Sequence, residues 1–541
     1  MKAPRLSISV SFSKSTLSSI GQFFTDNALL VITFVLSIAS VLAFLIYLSN
    51  GLGLSYNDAR SHLDIGRRVV EGLKPGLAQL GSVWLPLPHL LMVPTIWSDF
   101  MWHTGLAGAI QSMVSFVVTG VIVYVFLRKL GVSVLASYFG VFLFASNLNI
   151  LYLQSTAMTE LLLIASMTAG VYKFVRWFQT DNITDLIMSS FFIMLATLNR
   201  YDGWFLLMMA GFILGVIVWK KRGFKAAEGT ALFFLTLGGI GIVFWVLWNL
   251  AIFKDPLYFA FGPYSAHAQQ LQLSDAGVLA SKHDLPLSSL IYFYALAYNS
   301  VVIPLLLSFA GAAVFLFDRG IKGTVRIASL TLFAPLVFNV LALYLGFSVL
   351  FVQGLSGNTW FNVRYGAMMM PTVAIFVAYL AYRLKKLGYV LMFIIAIGSL
   401  FAFISQDAVT IDDARVGSSQ KNVSEVAGWL NQNAKDKEGF ILISAASHDA
   451  IIFSSGLPMS RFIHEGTGKY WESATASPDR WARWIVMRTN DLNDQTFKLV
   501  KQSGALDTYI LVDHYPFADI YEIKPEYMDF LQTKPVITNN K

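Results

Sequence analysis

The chain has 541 residues, 56% hydrophobic and only 13% charged, with a mean hydropathy of +0.60. That excludes an ordinary soluble globule and leaves length for many membrane spans. The net charge of +7 does not point to nucleic acid, because Lys and Arg fall in short clusters between apolar runs, where they report topology; the absence of cysteine excludes disulfides and thiolate metal sites.

The first stretch, MKAPRLSISVSFSKSTLSS, sets basic residues ahead of an apolar segment. That segment, 27–48, is longer than a signal-peptide core and lacks a small-x-small cleavage site, so it is expected to be retained as the first helix. Apolar runs long enough to cross roughly 30 Å of hydrocarbon recur at 28–50, 105–127, 132–150, 157–175, 183–198, 203–219, 229–252, 289–317, 327–350, 364–382 and 388–405. The expected fold is a polytopic α-helical membrane protein of about eleven transmembrane helices with a C-terminal extracytoplasmic α/β domain. The expected boundaries are 1–405 for the membrane part, with outer loops 51–104 and 253–288, and 406–541 for the second domain.

With a cytoplasmic N-terminus, the clusters Arg128/Lys129, Lys173/Arg176, Lys220/Lys221/Arg222/Lys225, Arg319/Lys322/Arg326 and Arg383/Lys385/Lys386 all fall inside, as the positive-inside rule requires. The remaining connections, rich in acids, histidines and arginines beside aromatics, then fall outside with the C-terminal domain. A multi-pass plasma-membrane protein with its working side outward is expected.

The first outer loop concentrates Asp58, Arg60, His62, Asp64, Arg67, Arg68, Glu71 and His89. Leu63, Gly66, Val70 and Leu73 recur at helical spacing opposite the charged residues, which predicts an amphipathic helix in the interface. The pairs Arg60/Asp64, Asp64/Arg68 and Arg67/Glu71 are spaced i,i+4 on a face expected to be solvated, worth about 0.2–0.5 kcal/mol each. Asp58 precedes that helix, where the plain alternative to chemistry is an N-cap.

Beyond 405 the charge rises and short helical and strand-like segments alternate. Helices are expected at 422–434, 448–455 and 491–502, and strands at 439–444, 484–487 and 508–512, which reads as a small α/β domain. No glycine-rich phosphate loop accompanies it.

Ionisable side chains at the rim of a bundle are costly to keep dry and face an aqueous cavity or a partner. By that argument the candidate set is Asp58, His62, His89, Glu160, Arg200, Tyr201, Asp202, His267, Arg364 and Tyr365. Asp58 and Glu160 can serve acid/base roles or hold a divalent cation, so metal use stays open. Arg200 and Arg364 can bind phosphate through bidentate, permanently charged contacts. Glu160 and Asp202 also sit in the first turns of predicted helices, where the dipole alone favours an acid. Trp84, Trp97, Trp102, Trp204 and Trp360 are expected as interfacial anchors, and a solvated loop position is the plain alternative for His267.

Taken together, Tyr56-Asn57-Asp58-Ala59, the GSVWLPLPH run at 81–89, Thr159-Glu160, the NRYDGW run at 199–204 and Arg364-Tyr365 resemble the GT-C superfamily of membrane glycosyltransferases. The lineage they resemble is that of the protein O-mannosyltransferases and the lipid A aminoarabinose transferase, and the likeness covers roughly 28–405. It implies an inverting hexosyl- or pentosyltransferase of the cell envelope that takes a sugar from a polyprenyl-phosphate donor at the outer membrane face. It implies Asp58, with Glu160, as catalytic residues, Asp58 being the general base toward an acceptor hydroxyl. Arg200, Arg364, Tyr201 and Tyr365 are then the donor-phosphate set, and His62, His89, Asp202 and His267 the remaining substrate contacts. The implied partners are the lipid-linked donor, membrane lipid, and a glycan, lipid or protein acceptor.

Two departures matter. Asp58-Ala59 stands where these relatives commonly have Asp-Glu, and the Trp-Trp-Asp motif of oligosaccharyltransferases is absent. Two other classes compete: a transporter or flippase of a lipid-linked saccharide, which would carry ionisable residues near the midplane in paired halves, and a noncatalytic assembly or sensor protein.

Overall fold

A computed structural model describes residues 22–262, 265–275, 277–416 and 420–535; the basic stretch ahead of the first helix lies outside the described residues. Among the described residues eight helices are long and apolar enough to cross a membrane: Ala28–Ser49, Leu106–Lys129, Glu160–Thr180, Asp202–Arg222, Phe224–Phe253, Gly323–Tyr344, Val363–Arg383 and Lys386–Arg415. A ninth span is counted if Leu285–Ser300 and Val302–Phe317, bent by 108° at their junction, form one. The other two apolar runs are the shorter helices Val134–Ala145 and Ile183–Thr197. Every apolar run in the sequence is thus a helix, although not each is long enough to span by itself.

The bend has a local cause and a local remedy. Val301 adopts φ 64°, a conformation unfavourable for a β-branched residue, which releases the Asn299 carbonyl from the helical ladder. Inside a membrane such a group must find a protein partner. Asn147 Nδ2 donates to it at 2.7 Å and Asn149 Nδ2 at 3.2 Å, while Asn299 Nδ2 donates to the Val363 carbonyl at 2.8 Å. The break therefore becomes a cradle for the start of Val363–Arg383.

Charged groups separate to the two ends of the bundle. At one end, Lys173 and Arg176 meet Asp185 at 3.2 and 3.1 Å, Arg383 meets Asp318 at 3.1 Å, and Arg222 pairs with Asp181. At the other, Glu160 opens its helix beside Arg200 and Arg364. A helix of 21 residues puts about 30 Å between these two groups.

The C-terminal domain carries a five-stranded sheet ordered β2-β1-β3-β5-β4. Its strands are β1 (Phe440–Ile443), β2 (Phe462–Ile463), β3 (Ala482–Met487), β4 (Tyr509–His514) and β5 (Asp519–Ile523). β1 pairs in parallel with β2 and β3, whereas β5 runs antiparallel to β3 and β4. The three expected strands are present. The two the sequence did not announce are a two-residue strand and one whose apolar residues are interrupted by Asp519 and Glu522. The helix expected at 491–502 begins at Gln495, because Asp494 caps it by accepting from the Thr496 and Phe497 N–H groups at 2.9 and 3.2 Å.

This domain packs on the first-loop helix Asn57–Val70, which corrects the expectation of a solvated face. Asp64 is fully buried and accepts from Trp102 Nε1 at 3.1 Å. Arg68 pairs with Asp449 at 2.7 Å, and Arg60 reaches the Leu54 carbonyl at 3.0 Å and Ser454 Oγ at 3.2 Å. Of the three expected pairs only Arg67–Glu71 is formed. Trp102, expected at the lipid interface, is 1% exposed, with the Arg67 guanidinium 4.6 Å from its ring centre.

Candidate functional site

Five chain segments meet where the first-loop helix begins. Tyr56 precedes that helix and Asp58 lies in its first turn, so Asp58 is not the N-cap residue. Its side chain is 41% exposed, with Oδ2 2.5 Å from Arg364 Nη2. Arg364, on the helical turns opening Val363–Arg383, also donates from Nε to Glu160 Oε1 at 3.0 Å and lies 3.8 Å from Asp413. Tyr56 donates its hydroxyl to Asp413 at 3.1 Å and to the Thr410 carbonyl at 2.8 Å.

Glu160 is wholly buried. Its Oε1 also accepts from Arg200 Nη1 at 3.4 Å, and Arg200 Nε reaches Asp202 Oδ2 at 3.4 Å. Both guanidinium groups pack on the Tyr365 ring, at 4.6 Å for Arg200 and 5.4 Å for Arg364, and Arg364 also packs on Tyr56 at 4.8 Å. A cation over an aromatic face keeps a favourable field without losing its charge. Burial works against the Arg200 charge, but Tyr365, Asp202 and Glu160 outweigh it and hold the guanidinium above its ordinary value.

Arg200 faces a cavity of about 180 Å³ bounded by His62, Trp84, Tyr201, Asp202, Asn339 and Tyr365 among others. His62 packs on Trp84, ring centres 4.5 Å apart, and its Nδ1 lies 2.9 Å from His89 Nε2. Burial, then the positive field of Arg200 and Arg364, pushes His62 down to about 3; burial and His62 itself push His89 down as well. Both rings are therefore neutral at physiological pH, and one ring N–H donates to the other ring's nitrogen. His89 stands behind His62 and lines no part of the cavity. His267 packs between Phe261 and Phe347, ring centres 5.7 and 6.1 Å away; only Phe347 of these reaches the cavity wall.

The structure thus joins Asp58, Glu160, Arg200, Asp202, Arg364 and Tyr365 in one connected set, places Tyr201 and His62 on the adjoining cavity, and leaves His89 and His267 behind its walls. Sequence reasoning missed Tyr56 as a contact, Asp413, and the asparagines 147, 149 and 299. Asn149 Oδ1 accepts from the Thr410 N–H and hydroxyl at 3.0 and 2.9 Å, which fixes the turn carrying Asp413. The available signal was polar residues interrupting apolar runs at one end of the bundle.

For a divalent cation the fit is poor. Among the described residues no group of three or more His, Asp or Glu side chains could hold one. Arg364 stands between Asp58 and Glu160, and the unpartnered Oε2 of Glu160 is a single donor.

No protein-family model matches the sequence, and no curated protein matches it. Solved structures do match. ArnT from Cupriavidus metallidurans bound to undecaprenyl phosphate aligns at TM-score 0.53 and 10% identity, over 90% of this chain and 98% of that one. Its apo state aligns at 0.53 and 11%, with the same coverage. The apo oligosaccharyltransferase of Archaeoglobus fulgidus aligns at 0.50 and 10%, over 86% of this chain and 70% of that one. At such identities the likeness is one of fold: the chain shares the overall architecture of these solved proteins.

Proposed function

We propose that this protein is a membrane glycosyltransferase that moves a sugar from a polyprenyl-phosphate donor to an acceptor hydroxyl at the extracytoplasmic face. The observation that carries this reading is a half-exposed carboxylate, Asp58, paired with Arg364, which shares the buried Glu160 with Arg200 on the wall of a cavity at one end of the bundle. The fold shared with a protein crystallised with undecaprenyl phosphate supports a lipid-linked donor. The basic clusters at the far end of the bundle support a cytoplasmic location for that end, with the N-terminus inside and the C-terminal domain, 406–541, outside.

In the proposed reaction the acceptor oxygen attacks the anomeric carbon, the bond from that carbon to the phosphate oxygen breaks, and the acceptor proton passes to Asp58. Attack from the face opposite the leaving group inverts the anomeric centre. The electron pair leaves with the lipid phosphate, whose growing negative charge needs fixed donors around it. Arg200 and Arg364 supply them, with Tyr201 and Tyr365 packed alongside. Glu160, buried under both guanidiniums, orients them; His62 and Asp202 contact the sugar. No step is routed through a metal. The charged residues lie at helix starts, not in paired halves at the midplane, which speaks against a transporter.

Lipid analysis of cells lacking the protein tests the reading. It should reveal an accumulated sugar-phosphate lipid together with a glycan one residue short. Normal pools of both would refute it.

A further inference from the structure

A second cavity has a volume of about 390 Å³. Its floor is Ser61, Ile65 and Arg68 of the first-loop helix, its roof is Asp449, His464 and Glu465 of the C-terminal domain, and Trp84 and Tyr258 stand at its side. Asp58, Ser61, Ile65 and Arg68 follow steps of three and four residues, so they lie on one helical face. Asp58 is therefore about 4.5 Å along the helix axis from the near end of the floor. Val83 and Trp84 line both this cavity and the smaller one beside Arg200. That partition is pinned: the Val83 carbonyl accepts from Tyr201 at 3.2 Å and the Gly81 carbonyl from Trp248 at 3.3 Å.

The polar groups of the larger cavity already have partners within the protein. Arg68 is paired with Asp449 at 2.7 Å, and Asp449 is hydrogen-bonded to the buried Asp64. Glu465 accepts from Ser444 Oγ and from the Ala445 N–H, the latter at 2.9 Å. Among the described residues lining it, Arg68 is the one Lys or Arg, and it is already taken. His464 Nδ1 accepts from the Gly466 N–H at 3.1 Å, so the neutral ring carries its proton on Nε2 and is a donor. Aromatic faces beside a carboxylate, a guanidinium edge and an imidazole N–H suit a ring with an apolar C–H face and a rim of hydroxyls. The volume lies in the range of small-molecule sites.

We infer that this cavity is the acceptor subsite, and that it takes a carbohydrate ring bearing no phosphate or carboxylate, with the reacting hydroxyl directed toward Asp58. This rests on the transferase reading above and adds to it the place and chemical class of the acceptor.

The test uses the full chain in lipid nanodiscs and saturation-transfer NMR with methyl glycosides of glucose, mannose, galactose and their 2-amino counterparts, with glucose 6-phosphate alongside. At least one neutral or amino glycoside should bind more tightly than glucose 6-phosphate. Its affinity should fall about tenfold or more in Ala446→Trp, which places a bulky ring in this cavity from an exposed position of the C-terminal domain. Binding of undecaprenyl phosphate, measured on the same samples, should be unchanged by Ala446→Trp. Silence from the whole glycoside panel, equal binding by wild type and variant, or a preference for the phosphate sugar would overturn the subsite. Failure of the wild type to bind undecaprenyl phosphate would instead remove the donor reading, and it is scored independently of the glycoside result.

Discussion

Arg364 lies 2.5 Å from Asp58, a residue 306 positions earlier in the chain. The proposed base and the proposed phosphate ligand are thus one hydrogen-bonded unit. Asn at position 58 keeps an acceptor for Arg364 but cannot take a proton. Asp58→Asn is expected to lower transfer by about 10²–10⁴ with melting temperature and polyprenyl-phosphate binding unchanged. Turnover close to wild type would remove Asp58 from the reaction.

The two arginines differ in what they hold. Arg200→Ala should weaken donor binding by ~1.5–3 kcal/mol, the worth of a charge-assisted hydrogen bond. Arg364→Ala should weaken it too, and it also leaves the buried Glu160 only its 3.4 Å contact with Arg200, a loss of up to about 3–5 kcal/mol in stability. Adding Glu160→Gln should recover part of that loss in chemical denaturation. An equal loss with and without Glu160→Gln would show that Arg364 does not neutralise Glu160.

Gly203 follows Asp202 where two helices nearly touch. A Cβ there would lie 2.3 Å from the Ala196 carbonyl carbon and 2.6 Å from the Thr197 nitrogen, and backbone cannot move aside as a side chain can. Gly203→Ala is expected to cost about 1–3 kcal/mol and to weaken donor binding by shifting Arg200. Gly215→Ala, with nothing within 4 Å, is the control. Donor titration and thermal melts of both variants decide the matter.

Burial, and then Arg68, push His464 from 6.5 down to about 3. The unfolded chain therefore binds a proton between those values that the folded chain refuses. The stability contributed by the neutral ring is complete above pH 6.5 and is lost as pH falls toward 3. In His464→Gln the decline of melting temperature on acidification should be shallower than in wild type, Arg68 and Glu465 being common to both. Parallel melting curves would contradict the assignment.

Asp64 has the opposite sign. Burial and the neighbouring Asp449 raise it well above 3.8, so its favourable state is the protonated one, present at low pH and lost as pH rises through the folded value. Asp64→Asn imitates that state. Its melting temperature relative to wild type should climb as pH rises above the ordinary carboxylate value of 3.8; a constant offset would show that no proton is held there.

The sequence by itself determined the class of molecule and the outline of its candidate site. Apolar length dictates membrane helices whatever their neighbours, because a backbone in hydrocarbon must satisfy its own hydrogen bonds. The same reasoning places Asp58, Glu160, Arg200 and Arg364 at one end, since alternating spans carry their connections to alternate faces. Only the tertiary structure decided which of these side chains touch. Arg364 could have served Asp202 as readily as Asp58, and it faces Asp58 because the break at Val301 and the asparagines that satisfy it seat residues 363–366 there. Likewise the charged face of the first-loop helix reads as solvated from its spacing alone. It is buried because a domain more than 300 residues later supplies Asp449 and Ser454, a long-range pairing that local periodicity does not encode.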